Sequence, residues 1–380
     1  MTSSVPFASS ERSTIGVEWE LALVDSDSGD LRQVAQTVLD TVAPADGGEH
    51  PTIKQELLLN TVEIVTGVCR TVAEAGADLS RSIEELRTVT DPLRVELMCA
   101  GTHPFAQWDR QKVTDKQRYA TLIDRTQWWG RQMLIYGVHV HVGIEDRAKV
   151  MPILRAMLTY VPHIQAMSAS SPFWGGKDTG YASNRALMFQ QLPTAGLPFQ
   201  FEDWAQFEVY VADMLHVGVI DQVDEIRWDI RPSPRFGTLE MRIADGSPNL
   251  TEVLAFAALI HTLVEHFSTL LDRGEALPTL PPWFVQENKW RSARYGMDAI
   301  IILDRAGNEE LVTDNVEKLL VTLEPTAARL GCLDELGQLR TILRKGASYQ
   351  RQRAVARRND GDLGAVVASL VAEMRAGKPL

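Results

Sequence analysis

The stretch Thr14-Ile-Gly-Val-Glu-Trp-Glu-Leu-Ala-Leu-Val24 sets two carboxylates, Glu18 and Glu20, among apolar residues. Side chains alternate along an extended strand, so Glu18 and Glu20 share one face while Val17, Trp19 and Leu21 share the other. Apolar residues on both sides place such a strand inside a sheet rather than at its rim. Like charges this close repel unless something cationic sits between them. A hard divalent ion held by oxygen ligands, of the kind that sits beside phosphate groups, meets that need. Two solvated glutamates on a half-exposed strand are the alternative reading of this stretch taken alone.

Three further stretches bear on the choice. Ile53-Lys-Gln-Glu-Leu-Leu-Leu-Asn-Thr-Val-Glu-Ile-Val65 reads as strand and carries Glu56 and Glu63, an odd number of positions apart. An odd separation puts them on opposite faces of one regular strand, so they converge only if a turn or bulge near Asn60 resets the alternation. Such a break is expected there. In Gly137-Val-His-Val-His-Val-Gly143 the alternation places His139 and His141 on one face and three valines on the other. One histidine on an apolar strand is usually a satisfied core residue; two beside acidic strands suggest a metal ligand and an orienting or phosphate-binding neighbour. From Ile226 to Ile243, Arg227 and Arg231 precede a proline-rich turn containing Arg235, and the strand Thr238 to Ile243 carries Glu240 and Arg242 on one face. A structural ion pair would account for that last pair alone. Four such strands in one chain favour an active site.

The rest of the chain supplies elements to position these groups. Thr71 to Thr88 has an apolar face of Val72, Ala75, Leu79, Ile83 and Leu86 and reads as a scaffold helix. Arg94 to Pro104 reads as a strand ending in a Gly-Thr-His-Pro corner, where Thr102 and His103 are placed to hold a ligand. Residues 115 to 135 read as an aromatic-rich packing helix with Tyr119, Trp128 and Trp129. Residues 169 to 185 form a long glycine-dense loop without the spacing of a P-loop; its Lys177 and Arg185 are either anion anchors or solvated. Asn249, with Glu252 three residues on, caps a long apolar helix ending at Gly274, and its His261 and His266 share no helical face. The basic tract from Arg340 to Arg358 reads as solvated helix faces rather than a clamp on phosphates.

With 380 residues, 45% hydrophobic and 23% charged, the chain supports a large core. A net charge of -12 argues against nucleic-acid or anionic-membrane partners. Three widely spaced cysteines fit free thiols in a reducing cytoplasm. Met1 to Arg12 lacks the apolar core of a signal peptide, and no run is read as long enough to span a bilayer. The expected organisation is a disordered leader over residues 1–13 and a single catalytic domain over 14–380.

Taken together, Gly16-Val-Glu-Trp-Glu20, Glu56 with Asn-Thr-Val-Glu63, Gly-Thr-His-Pro104, Val-His-Val-His-Val142, Asp-Thr-Gly-Tyr-Ala-Ser-Asn-Arg185 and Thr-Leu-Glu-Met-Arg242 resemble the type 2 glutamate-cysteine ligase family, in its bacterial carboxylate-amine ligase branch. The matches run in order from residue 14 to about 295. One departure is visible: where the family's first strand often reads Gly-Val-Glu-Glu-Glu, this chain has Trp19, which alternation turns away from the carboxylates.

The resemblance implies an α+β fold similar to glutamine synthetase, a curved and mostly antiparallel sheet with helices on its outer face and the active site on the concave one. It implies an ATP-dependent enzyme that activates a carboxylate as an acyl phosphate and joins it to an amine, with glutamate and cysteine as the expected pair. By the same resemblance Glu20, Glu56 and Glu63 would hold one magnesium near the acid, and Glu18, His139 and Glu240 another near the ATP phosphates, with manganese the substitute metal. Arg242, with Arg231 or Arg235, would stabilise the transferring phosphoryl group, and His141 would orient a phosphate or ligand. Arg185 is assigned to the acid's carboxylate and the Thr102–His103 corner to the amine. A cytoplasmic homodimer is the expected state. A phosphagen-kinase-like phosphotransferase and a non-catalytic nucleotide-binding regulator are the competing readings.

Overall fold

A computed structural model describes residues 4–380. Its centre is a seven-stranded antiparallel sheet of β1 (Ile15–Asp25), β2 (Ile53–Gln55), β3 (Thr61–Val65), β4 (Val95–Met98), β5 (Val138–Gly143), β6 (Ile230–Ser233) and β7 (Thr238–Met241), in the order β2-β3-β1-β5-β7-β6. β3 lies along one edge of β1, whereas β5 and β4 follow each other along the opposite edge. The two-residue period therefore makes one face of the sheet polar and the other apolar.

Register aligns the polar face strand by strand. Glu20 stands opposite Glu63, Glu18 opposite His139, His141 opposite Glu240, and Arg231 opposite Glu240. The other face presents Val17, Trp19, Leu21, Val138, Val140, Val142, Leu239 and Met241, all buried. Helices Val72–Thr90 and Leu250–Asp272 pack on that side, the first against β1, β3 and β4 and the second against β5. The α+β, mostly antiparallel arrangement expected from the sequence is the one observed.

Trp19 is fully buried among these helices, and its indole N–H donates to the Ser247 carbonyl at 3.2 Å. The departure at this position is thus a core anchor. Trp19→Ala should cost about 3–5 kcal/mol through the cavity it leaves, measurable as a lower urea midpoint.

The break expected near Asn60 is present: β2 and β3 form an antiparallel hairpin, and residues 56–60 link them. Glu56 consequently lies outside the ladder while Glu63 lies within it. Helix Leu250–Asp272 begins as read, with the Asn249 side chain accepting from the Glu252 N–H at 3.0 Å. By length and composition it could cross a bilayer, contrary to the reading that no run is long enough. It is mostly buried inside the protein, and its His261 is hydrogen-bonded to the Ser13 carbonyl at 2.8 Å, which makes it the central core helix.

Residues 1–3 of the expected leader lie outside the described residues. From Ser4 onward the segment is docked rather than frayed. Val5 is buried, the Ala8 N–H donates to the Pro234 carbonyl, and Arg12 pairs with Glu265 at 2.8 Å and Asp272 at 2.5 Å. In the late basic tract Arg344, Lys345, Arg357 and Arg358 are exposed, as the solvated-face reading expected, while Arg340, Arg351 and Arg353 form ion pairs. Arg340 meets Glu317 and Glu324, and Arg353 meets Asp178. Arg351 instead lies buried between Glu252 and Glu373.

Candidate active site

The polar face divides into two halves by electrostatics. In the first, every carboxylate has cationic or hydrogen-bonding partners. Glu18 receives His139 Nδ1 at 3.0 Å and His141 Nε2 at 3.2 Å. Glu240, almost fully buried, receives Arg231 Nε at 2.7 Å and a close contact from Arg242 Nη1. Burial pushes both carboxyls up, yet the histidine hydrogen bonds on Glu18 and the arginine charges on Glu240 outweigh it and hold both below the ordinary range. His141 is raised, because the charges of Glu240 and Glu18 overcome the cost of its burial. His139 falls to about 4 through burial and the nearby Arg242.

In the second half the carboxyls lack such compensation. Glu20 is pushed up to about 8 by burial and by the charge of Glu56, although Arg185 lies near and the Gly137 N–H donates to Glu20 at 2.5 Å. Glu63 is raised well above its usual value by burial and then by Glu56, Glu18 and Glu20. Glu56 is raised chiefly by burial, while its Oε2 accepts from the Leu57 N–H at 3.0 Å. A pocket that gathers half-buried acids whose charges the protein leaves uncompensated is chemically suited to taking up a cation.

Two donor sets meet that description. One ligand atom each from Glu18, His139 and Glu240 lies within 4.8 Å of the others, and so do atoms from Glu20, Glu63 and His139. The first set is the trio read from the sequence. In the second, His139 stands where Glu56 was expected. Glu56 sits beside this group with one oxygen turned to its own backbone, because it lies on the hairpin link and not on the strand.

Cation uptake here must displace protons from Glu20 and Glu63. Glu20, pushed up to about 8, binds a proton below that pH, and Glu63 is raised too, so magnesium affinity is expected to rise between about pH 6 and about pH 9. Calorimetric titrations in two buffers of different ionisation enthalpy would report protons released on binding; affinity independent of pH would contradict the description.

The other expected residues fall into place unevenly. Arg242 lies among Glu240, His139 and Phe189, with His139 Nδ1 3.5 Å from its Nη1. Arg231 is anchored by donating from Nη1 to the Asp224 and Ile226 carbonyls, at 2.7 and 2.8 Å, while Nε holds Glu240. Arg235 is exposed in the β6–β7 turn, its guanidinium 5.5 Å from the Phe236 ring, which in turn meets the edge of His141 at 5.9 Å. Of the two candidate partners for Arg242, Arg231 is therefore the one on Glu240. His141 Nδ1 faces the Thr238 hydroxyl at 2.9 Å.

Two assignments to substrate are corrected. Thr102 is buried and its hydroxyl donates to the Phe173 carbonyl at 2.7 Å. His103 is buried too, with Nε2 on the Gly29 carbonyl and Nδ1 accepting from the Phe105 and Ala106 N–H groups. Both side chains are spent on shaping the corner, leaving no atom for an amine. Arg185 is also buried, but its guanidinium fills the space of the side chain that Gly137 lacks, on the same face as Glu20 and His139: a Cβ at Gly137 would fall 2.1 Å from its Nη2, and its Nη1 donates to the Arg242 carbonyl at 3.2 Å. It sits on the polar face beside Glu20 and Arg242. Asp245, overlooked in the sequence, pins this loop by accepting from the Ser171 and Ser183 hydroxyls at 2.7 and 2.9 Å.

Helix Gln117–Arg131, read from sequence as packing, crosses between the two edges of the sheet. On the β2–β3 side the Thr114 hydroxyl just before it donates to the Glu56 carbonyl at 2.7 Å, and the Tyr119 hydroxyl donates to the Gln55 carbonyl at 3.3 Å. On the β6 side Arg125 donates to the Gly218 carbonyl at 3.0 Å and lies 4.0 Å from Glu225. The helix breaks at Gln127, beyond both anchors. Its only sequence signal was aromatic content, which core helices share.

The chain matches the family model described as glutamate-cysteine ligase family 2 over residues 14–369. It is 63% identical over 378 residues to a protein of Arthrobacter sp. (strain FB24) provisionally named glutamate–cysteine ligase 2-1, covering 98% of this chain and 99% of that one. A protein of Mycobacterium tuberculosis (strain ATCC 25177 / H37Ra), provisionally named glutamate–cysteine ligase 2, is 60% identical over 370 residues, 97% of each. Among solved structures the fold is shared with the glutamate–cysteine ligase of Francisella tularensis in complex with AMP, at a TM-score of 0.66 and 13% identity over 96% of this chain and 92% of that one. It is also shared with a bifunctional glutathione synthetase of Pasteurella multocida, at a TM-score of 0.66 and 16% identity over 96% of this chain and 51% of that one. The chain belongs to the glutamate-cysteine ligase family 2 and is a carboxylate–amine ligase.

Proposed function

We propose that the protein joins the side-chain carboxylate of glutamate to the amine of cysteine, driven by ATP and with magnesium bound on the polar face of the sheet. A carboxylate is a poor electrophile and must be activated first. Its oxygen attacks the terminal phosphorus of ATP, the bond to the β-phosphate oxygen breaks, and ADP leaves. The amine nitrogen then attacks the acyl phosphate carbon, gives up a proton, and inorganic phosphate departs.

Glu18, His139 and Glu240 would hold one magnesium ion, and Glu20 and Glu63, with Glu56 beside them, the other, since the single lone pair of a neutral His139 serves one ion. Bound there, the ions neutralise phosphate charge that otherwise repels the incoming carboxylate. Arg242 and the anchored Arg231 face the same region and stabilise charge on the transferring group. His141, held by Thr238, orients a phosphate oxygen. Three free, buried cysteines are compatible with a reducing cytoplasm, and a closed homodimer is the commonest assembly of such enzymes.

One observation carries this reading: a single sheet face holds both charge-compensated and uncompensated carboxylates in aligned register, the second group in need of cations. The test is phosphate release from ATP and magnesium by the purified protein. Release that requires acid and amine together, greatest for glutamate with cysteine, is expected. Phosphoryl transfer to a guanidino compound without free phosphate would point to a phosphotransferase instead.

A further inference from the structure

Arg185 lies on the polar face but is buried against Gly137, so a second carboxylate arriving from solvent calls for an exposed cation. Arg118 is exposed at the Glu56 end of the polar face and forms no ion pair among the described residues. Its guanidinium carbon lies 4.5 Å from the centre of the neighbouring Tyr119 ring, and its Nη2 donates to the Tyr119 hydroxyl. That hydroxyl is itself held on the Gln55 carbonyl, one residue from Glu56. Arg118 is thus oriented, and its charge is felt at Glu56 and Tyr119.

Of the other cations on this face, buried Arg185 has its Nη1 on the Arg242 carbonyl. Arg231 and Arg242 both hold Glu240, at the end where the ATP phosphates are placed. A simple monocarboxylic acid would need nothing at the opposite end. We infer that Arg118, carried by the helix that crosses the cleft, binds a second carboxylate of the acid substrate, so that the site selects an amino dicarboxylic acid and places its other carboxylate toward ATP. This rests on the ligase reading and names the residue that fixes its acid. A guanidinium matches a carboxylate through two parallel hydrogen bonds, which an ammonium cannot reproduce.

The test pairs two proteins with two acids. Glutamate has both carboxylates; 4-aminobutyrate keeps only the one that reacts. Arg118→Ala should raise KM for glutamate on the order of 10- to 100-fold, with little change for 4-aminobutyrate or ATP, and Arg118→Lys should restore only part of the loss. Because Arg118 is exposed, the substitution should leave the fold intact. An equal penalty on both acids, or one that falls on ATP, would overturn the inference. Calorimetric titration of glutamate into the magnesium-loaded proteins separates this from the ligase reading. If the wild-type protein turns over no acid yet binds glutamate more tightly than Arg118→Ala, the reaction assignment fails and Arg118 stands. Equal affinity, or no binding to either protein, removes Arg118 from the site.

Discussion

Glu20→Gln is expected to abolish ligation while making the metal-free protein more stable. Glu20 is pushed up to about 8 by burial and by Glu56, so its charge opposes folding. The sign follows from linkage: a carboxyl raised in the folded state costs nothing below its ordinary value, costs increasingly as pH climbs toward 8, and costs most above it. Glutamine keeps an oxygen to accept from the Gly137 N–H without the charge. The variant should therefore match wild type near about pH 5 and exceed it near about pH 9 by on the order of a few kcal/mol, read from urea unfolding without metal. Magnesium should reverse that order, since only wild type gains the full ion. Turnover should fall on the order of 1,000-fold, and near-normal turnover would remove Glu20 from the ligand set.

Glu240→Gln should also silence the enzyme but with the opposite effect on stability. Glu240 is buried between Arg231 and Arg242, and its carboxyl is held low by both, despite a burial cost that alone would raise it. Neutralising it leaves two guanidinium groups without their counter-ion, which typically costs about 3–5 kcal/mol. The urea midpoint should drop at neutral pH, and activity, down on the order of 1,000-fold, should not return at high magnesium. A variant of wild-type stability would mean that the two arginines find other partners. Opposite stability changes with a shared loss of turnover are the signature of a face divided into compensated and uncompensated halves.

Much of this face was legible because strand alternation is a strict geometric rule. Glu18 with Glu20, His139 with His141, and Glu240 with Arg242 each had to point the same way, and the odd spacing of Glu56 and Glu63 required the break found between β2 and β3. Register was not legible, since it depends on long-range pairing. That is why His139, opposite Glu18, joins Glu20 and Glu63 while Glu56 stands aside.

The misread residues have a common physical cause. Thr102 and His103 carry groups suited to substrates, but a side chain spent on buried carbonyls looks the same in sequence as one turned to a cleft. The helix that carries Tyr119 differs in the other direction. A helix laid across a concave sheet has the same aromatic content as one packed in a core, and only its anchors on Gln55 and Gly218 reveal its position. The leader was misread because a short polar segment can be held by single contacts such as Arg12 on Glu265.

The central claim is that the acid is activated by taking a phosphoryl group before the amine attacks. It is tested most directly with glutamate labelled by oxygen-18 in its side-chain carboxylate, supplied with cysteine, ATP and magnesium, and analysis of the released phosphate by mass. An acyl phosphate requires one labelled oxygen to leave with each phosphate formed. Condensation product accompanied by unlabelled phosphate would contradict it.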